Sequence, residues 1–274
     1  MYDLRGQVAV VTGAGGPRGI GRAILLRLAA EGADVVAVDL PPGAQGSGPD
    51  AEAVAAEARA LGRRALAVPG DVGDPDAASR VLEAALETFG RVDILVNNAA
   101  APPGADRAPV VDVEPEAFDA VLRVNVRGAF LCARAAARHM IARGGGGRIL
   151  NLSSCLGKRG RANYAAYCAS KFALLGFTEA LALELAAHRI TVNALCPGPV
   201  DTERFDRVAE GAAAPGESPA QARGRILADR AGRTPLGRVG LPSDVAAVAA
   251  FLASREAEFL TGMAVDVTGG FDLA

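Results

Sequence analysis

The chain has 274 residues, half of them hydrophobic, 4% aromatic and 22% charged, with a formal net charge of −2; that length fits one large α/β domain or two small ones. The balance of charge leaves no basic footprint for nucleic acid or an anionic membrane surface, so neither is expected as a partner. No apolar run reaches 18 residues and a strand begins within seven residues of Met1, so no membrane span or signal peptide is expected, and the expected location is cytoplasmic.

Val8–Val11 is a continuous apolar run, the signature of a strand buried on both faces of a parallel sheet. It runs into a glycine-rich turn, Gly13 to Gly21, and a helical stretch from Arg22 to Ala30. A second strand, Ala33–Val38, ends at Asp39, eighteen residues after Gly21. Strand, glycine turn, helix, strand and acid form the dinucleotide-binding arrangement: the turn brings backbone N–H groups to a pyrophosphate, and the acid accepts the adenosine ribose hydroxyls. Asp39 there favours NAD by repelling a 2′-phosphate. Arg18, a base within the turn, pulls toward NADP, which stays open as the alternative. Leu40–Pro49 reads as a Pro/Gly/Ser loop near the adenine end.

Helix and strand then alternate: helix Ala51–Leu61, strand Ala65–Val68, helix Pro75–Phe89, strand Val92–Val96. A long helical region runs from Pro115 to Arg143 with Asn125 inside it, followed by strand Ile149–Leu152. After a short loop come a helix from Ala165 to Ala187 and a strand from Ile190 to Leu195. Glu203 to Arg238 is polar and only weakly helical (over Pro219–Arg230), the character of a functional lid. Helix Ser243–Ala253 and strand Ala264–Val267 complete the pattern. With no linker and no repeat, the fold class is α/β: one doubly wound parallel sheet, a Rossmann fold with helices on both faces and a lid after the sixth strand.

Tyr167 and Lys171 stand four residues apart on a predicted helix and so share one face. An ammonium beside a phenol favours the phenolate, tuning it to give or take a proton while a C–O bond changes order. Only two of the 29 basic residues are Lys, yet position 171 carries the compact ammonium that Arg cannot imitate. Ser154 lies thirteen residues before Tyr167, and Ser153 beside it reads as structural. Lys158, Arg159 and Arg161 are either a solvated basic loop or a carboxylate site. The four Cys (132, 155, 168, 196) lack metal-ligand spacing, and His139 and His188 stand alone, so no metal is expected.

Thr12-Gly13…Gly19-Ile20-Gly21, Asp71-Val72, Asn97-Asn98-Ala99, Asn125, Ser154, Tyr167…Lys171 and Pro197-Gly198…Thr202, in that order, resemble the short-chain dehydrogenase/reductase family over nearly the whole chain. The resemblance implies hydride transfer between a carbon and a nicotinamide, with the cofactor carrying the chemistry. It implies Tyr167 as general acid/base, Lys171 as its modulator and ligand of the nicotinamide ribose, Ser154 as holder of the substrate oxygen, and Asn125 at a helix kink keeping a relay water. Gly13, Arg18, Gly19, Ile20, Asn98, Ala99, Pro197, Gly198, Val200 and Thr202 would contact the cofactor, and Asp71 and Val72 would flank adenine. It also implies a homotetramer. The expected substrate is a small alcohol or ketone (polyol, sugar or hydroxy-ketone), with an NADPH-dependent 3-oxoacyl-thioester reductase as the alternative. Two departures stand out: five residues separate Gly13 from Gly19 where the family pattern has three, and position 100 is Ala where the family has Gly.

Overall fold

The computed structural model describes residues 2–44, 50–271 and 273; of the expected Leu40–Pro49 loop, residues 45–49 lie outside the described residues. Seven strands, β1 (Val8–Thr12), β2 (Asp34–Asp39), β3 (Ala65–Pro69), β4 (Ile94–Asn97), β5 (Gly147–Leu152), β6 (Ile190–Pro197) and β7 (Ala264–Val267), form one sheet in the order 3-2-1-4-5-6-7. All six pairings are parallel. The helices are α1 (Ile20–Ala30), α2 (Ala51–Ala60), α3 (Pro75–Phe89), α4 (Pro115–Leu122), α5 (Ala129–Arg143), α6 (Ala165–Leu185), α7 (Arg204–Ala212), α8 (Pro219–Gly232) and α9 (Pro242–Ala253).

The apolar runs follow from burial on both faces. Along β1, Ala9 and Val11 pack with α1, α2 and α9, through Ile24, Leu28, Val54 and Val245. Val8 and Val10 point the other way, onto Val81 and Leu82 of α3, Leu131 and Met140 of α5 and Leu185 of α6. Each side chain buried this way contributes roughly 1.5–3 kcal/mol of transfer free energy. Helices on both faces make the sheet doubly wound. Its order reverses between β1 and β4, so the carboxyl ends of these two strands splay apart and open a crevice.

Three differences from the sequence reading have physical causes. The predicted helix over Pro115–Arg143 is interrupted by a π-helical turn at Arg123–Gly128, which carries Asn125 and closes over Val72. The weakly structured Glu203–Arg238 segment folds into α7 and α8. A capping box of Ser218 and Gln221 starts α8 after Pro219, and Arg223 is paired with both Asp201 and Asp206. These long-range ion pairs leave no trace in local periodicity. Third, α6 with the following turn, Ala165–His188, is long and apolar enough to cross a membrane by length and composition. Here it lies against β6, with Ala166, Leu174, Ala182 and Leu185 buried, while Phe172 and Leu183 stay exposed.

Gly21, in the first turn of α1, is where helix, glycine turn and β4 meet. A Cβ there would stand 2.3 Å from the Gly13 carbonyl oxygen and 2.4 Å from Asn98 Nδ2. Gly224, in α8, has nothing within 4 Å of its notional Cβ. Gly21→Ala is therefore expected to destabilise the fold by about 1–3 kcal/mol through overpacking. Gly224→Ala should stabilise it by up to about 1 kcal/mol by raising helix propensity. Urea denaturation of the two variants checks the contrast; equal effects would contradict the packing described.

Candidate active site

Two adjoining cavities open along the carboxyl edge of the sheet. The first, about 260 Å³, is lined by the glycine turn (Gly13, Gly16, Gly19, Ile20), by Asp39, Asn98 and Ala99, and by Ser153, Tyr167, Lys171, Pro197, Thr202 and Glu203. The second, about 390 Å³, is lined by Ser154, Tyr164, Tyr167, Gly198, Val200 and the inner faces of α7 and α8. Tyr167 and Thr202 line both.

At the turn, the sequence presents backbone rather than side chain. Gly19 caps α1, and its N–H is bonded to the Gly16 carbonyl at 3.1 Å. Asp39, at the end of β2, accepts hydrogen bonds from the backbone N–H of Gly15 (2.6 Å) and of Leu40 (2.8 Å). A carboxylate already lies on this turn: Glu203 Oε2 accepts from the Arg18 N–H at 3.2 Å. Its Oε1 stands where a Cβ on Gly16 would be, 1.9 Å away. The lengthened turn is thus a cradle for an oxyanion and fits the pyrophosphate of a dinucleotide. The Arg18 side chain points away from this cradle and is paired with Asp206.

Asn98 fastens the turn to β4. Its Nδ2 donates to the carbonyls of Thr12 (2.9 Å) and Gly13 (2.8 Å), and Thr12 Oγ1 accepts from the N–H of Asn98 and of Ala99, both at 3.1 Å. Asp71 and Val72 line neither cavity. Asp71 accepts from the Gly73 N–H and pairs with Arg123 at 2.8 Å, and Val72 is buried beneath Gly128.

Lys171 is buried, and its Nζ donates to the Leu152 carbonyl at the end of β5 at 2.6 Å. Ser153 Oγ returns a bond to the Lys171 carbonyl at 2.8 Å, the structural role expected of it. Lys171 Nζ lies 5.7 Å from the centroid of the Tyr167 ring, so the two side chains share one face and one cavity. In the sequence Lys171 reads as a compact ammonium beside the phenol. Burial, and next the repulsion of Arg204, pull its pKa down from 10.5 to about 7. Ser154 begins a short 3-10 turn, its Oγ accepting from the Leu156 N–H at 3.1 Å.

Asn125 lies outside both cavities. Its Oδ1 accepts from the Ala101 N–H at 2.8 Å, and its Nδ2 donates to Ser170 Oγ at 2.9 Å. Ser170 Oγ in turn donates to the Tyr167 carbonyl at 2.7 Å. Both ends of the amide are therefore engaged, Oδ1 by the loop after β4 and Nδ2 by the turn of α6 that carries Tyr167. Of the basic residues after Ser154, Lys158 is tied to Asp266 at 2.7 Å, while Arg161 lines the second cavity.

Three site residues escaped the sequence reading. Glu203 sits on the glycine turn, Arg204 donates to the Ala101 carbonyl at 2.5 Å and lies 5.3 Å from the Tyr167 ring centroid, and Arg107 stacks on both Tyr164 and Tyr167. Glu203 and Arg204 follow Thr202 directly, which was a usable signal. Arg107 stands in an irregular loop with none.

The family described as enoyl-(acyl carrier protein) reductase matches residues 13–272. Versicolorin reductase of Emericella nidulans is 41% identical over 98% of this chain and 97% of its own length. Sorbitol dehydrogenase of Cereibacter sphaeroides is 38% identical over 97% and 98%. A solved short-chain dehydrogenase/reductase variant from Serratia marcescens superposes with a TM-score of 0.83 at 35% identity, covering 99% of this chain and all of the other.

Having two lysines makes the protonation of Lys171 directly observable. In protein labelled with ¹³C-lysine and free of ligands, one Cε resonance, absent from Lys171→Met, is expected to titrate near pH 7. The unfolded chain holds that proton up to about 10.5, so it binds more protons than the folded chain between the two values. The Lys171 contribution to stability accordingly rises with pH across that window. A midpoint at the ordinary lysine value would contradict the burial described.

Proposed function

The chain belongs to the short-chain dehydrogenase/reductase family, and on that premise we propose that it interconverts a secondary alcohol and its ketone with NAD(H). The observation that carries this reading is the position of Tyr167, whose side chain lines both the cleft at the glycine turn and the second cavity, beside Lys171 in one and Ser154 in the other. A bound nicotinamide would supply or accept the hydride. Tyr167 holds the proton at its phenolic oxygen and passes it to the substrate oxygen in reduction, or takes it in oxidation. Ser154, whose Oγ accepts from Leu156 and whose O–H lies toward Cys155 Sγ at 3.9 Å, turns that weakly held O–H to donate to the same oxygen. Lys171 modulates the phenol and offers its N–H groups to the cofactor's ribose. Asn125 acts as a positioning residue through Ser170.

Two charges support NAD over NADP. Asp39 faces the first cavity from the end of β2, where a 2′-phosphate would bring a second negative charge against it. Arg18, the expected counter-base, is engaged by Asp206. The likeness to sorbitol dehydrogenase supports a polyol, sugar or hydroxy-ketone as substrate. The alternative is an NADPH-dependent 3-oxoacyl-thioester reductase, which shares with the description of the matched family only the acyl-carrier substrate, since that description names an enoyl group.

One experiment addresses both readings: NADH formation across a panel of secondary alcohols and polyols, run alongside NADPH-dependent reduction of a 3-oxoacyl thioester. The expected result is alcohol oxidation with kcat/KM at least about tenfold higher for NAD than for NADP, equivalent to about 1.4 kcal/mol. Asp39→Ala should narrow that ratio. A preference for NADPH with the thioester would install the second reading, and turnover of neither class would overturn the proposal.

A further inference from the structure

The wall of the second cavity is unusual in its charge. Arg107, Arg161, Arg204 and Arg230 line it, and no Asp or Glu does among the described residues. Arg107 and Arg230 are also largely shut off from water, with side chains 16% and 15% exposed. The nearest acids lie outside the lining: Asp106 is ion-paired with Arg107, and Asp229 lies farther from Arg230. Asp106 Oδ2 stands 3.1 Å from Arg107 Nε, but Arg107 Nε and Nη1 are buried and donate to no group among the described residues. Asp229 reaches Arg230 only at 3.8 Å and stands 4.0 Å from Arg233.

Arg107 is held rather than loose. Its guanidinium carbon lies 4.1 Å from the Tyr164 ring centroid and 4.5 Å from that of Tyr167; Arg161 adds a third such contact, 4.6 Å from Tyr164. The like charges also press on one another. Burial and then the Coulomb repulsion of Arg161 lower the pKa of Arg230; burial lowers that of Arg107 too, with the attraction of Asp106 opposing it and the repulsion of Arg204 adding to it.

Buried guanidinium donors without acceptors are costly, because desolvation is not repaid by a partner. A planar fork with free N–H groups matches the two oxygens of an oxyanion. Leu156, Val200, Phe205, Val208, Ile226 and Phe271 supply an apolar wall beside the hydroxyls of Ser154, Tyr167 and Thr202. We propose that this cavity takes a substrate with an oxyanion, a carboxylate or a phosphate, carried on an apolar body, and that Arg107 and Arg230 are the specificity-determining residues for that anion. The inference rests on the reading of this cavity as the substrate site. It narrows the alcohol to a hydroxy or oxo acid, or a phosphate ester, whose charge lies close to the reacting carbon.

The test uses binding, so that it does not depend on turnover. With the protein–NAD⁺ complex, which cannot reduce a ketone, calorimetry compares 2-oxo-4-phenylbutanoate with 2-oxo-4-phenylbutanamide. A second pair is 2-oxo-4-phenylbutyl phosphate and the matching hydroxy-ketone. The charged member of at least one pair is expected to bind about 10- to 100-fold more tightly, as one or two charge-assisted hydrogen bonds provide. The pair that discriminates identifies the anion. In Arg107→Met, and separately in Arg230→Met should the first fail to fold, the ratio between acid and neutral analogue should fall toward one. Arg107→Lys should keep part of it. Equal affinities within both pairs, no binding by any of the four, or ratios unmoved in both Met variants would overturn the proposal. Failure of the dehydrogenase reading would register separately, as no NADH from any alcohol, 2-hydroxy-4-phenylbutanoate and 2-hydroxy-4-phenylbutyl phosphate included, while the charged ligands still bind.

Discussion

Two hydrogen bonds between the end of β5 and the second turn of α6 govern the rest of the site. Lys171 Nζ donates to the Leu152 carbonyl, and Ser153 Oγ donates to the Lys171 carbonyl. Together they fix the rotation and the height of α6 against the sheet, which places Tyr167, one turn earlier, at the junction of the two cavities. A compact amine on a four-carbon stem can end inside this space; a guanidinium would bring further N–H groups that need acceptors. Two other buried polar chains hold the same helix. Asn97 donates to Asn151 and Asn151 to Thr178 of α6, while Asn125 reaches Tyr167 by way of Ser170. Buried networks of this kind restrict the arrangement, since a shift strands further polar groups in the interior beyond Asn97 Oδ1, which has no partner among the described residues.

Electrostatics divides the crevice. At the glycine turn, backbone N–H groups face Glu203 and Asp39, so that end receives negative charge. The Glu203 carboxylate, on the segment leading into α7, lies on the backbone that a pyrophosphate would use. That segment is fastened mainly by charge: Arg18 to Asp206, and Arg223 to Asp201 and Asp206, with Ala209 alone buried in α7. The exposed Arg18–Asp206 pair is individually weak, and the half-buried Arg223 pairs carry more of the attachment. At the far end of the crevice the four arginines reverse the sign of the field.

Much of this was legible in the chain. Strands buried on both faces read as apolar runs, and the β-α alternation, the glycine turn, Asp39 and the Tyr167–Lys171 spacing all depend on neighbours close in sequence. Helix α3 and strand β7 have the bounds expected for them. What escaped depends on contacts distant in sequence. Helices α7 and α8 are stabilised by ion pairs and a capping box rather than an apolar stripe. The π-helical turn at Asn125 answers to the close approach of Val72 and Gly128. Arg107 becomes notable only when the loop after β4 folds over Tyr164 and Tyr167. The protonation of Lys171 follows from burial, which no spacing reveals.

The central claim is that Tyr167 moves the proton while the cofactor cleft exists independently of it. Stopped-flow measurement of the hydride step in Tyr167→Phe, paired with NADH fluorescence titration of the same variant, tests it most directly. The account predicts a loss of about 10²- to 10⁴-fold in the rate, the range expected for removing a general acid/base, with NADH affinity within a few-fold of the parent. A variant that transfers hydride at nearly the parental rate would contradict it.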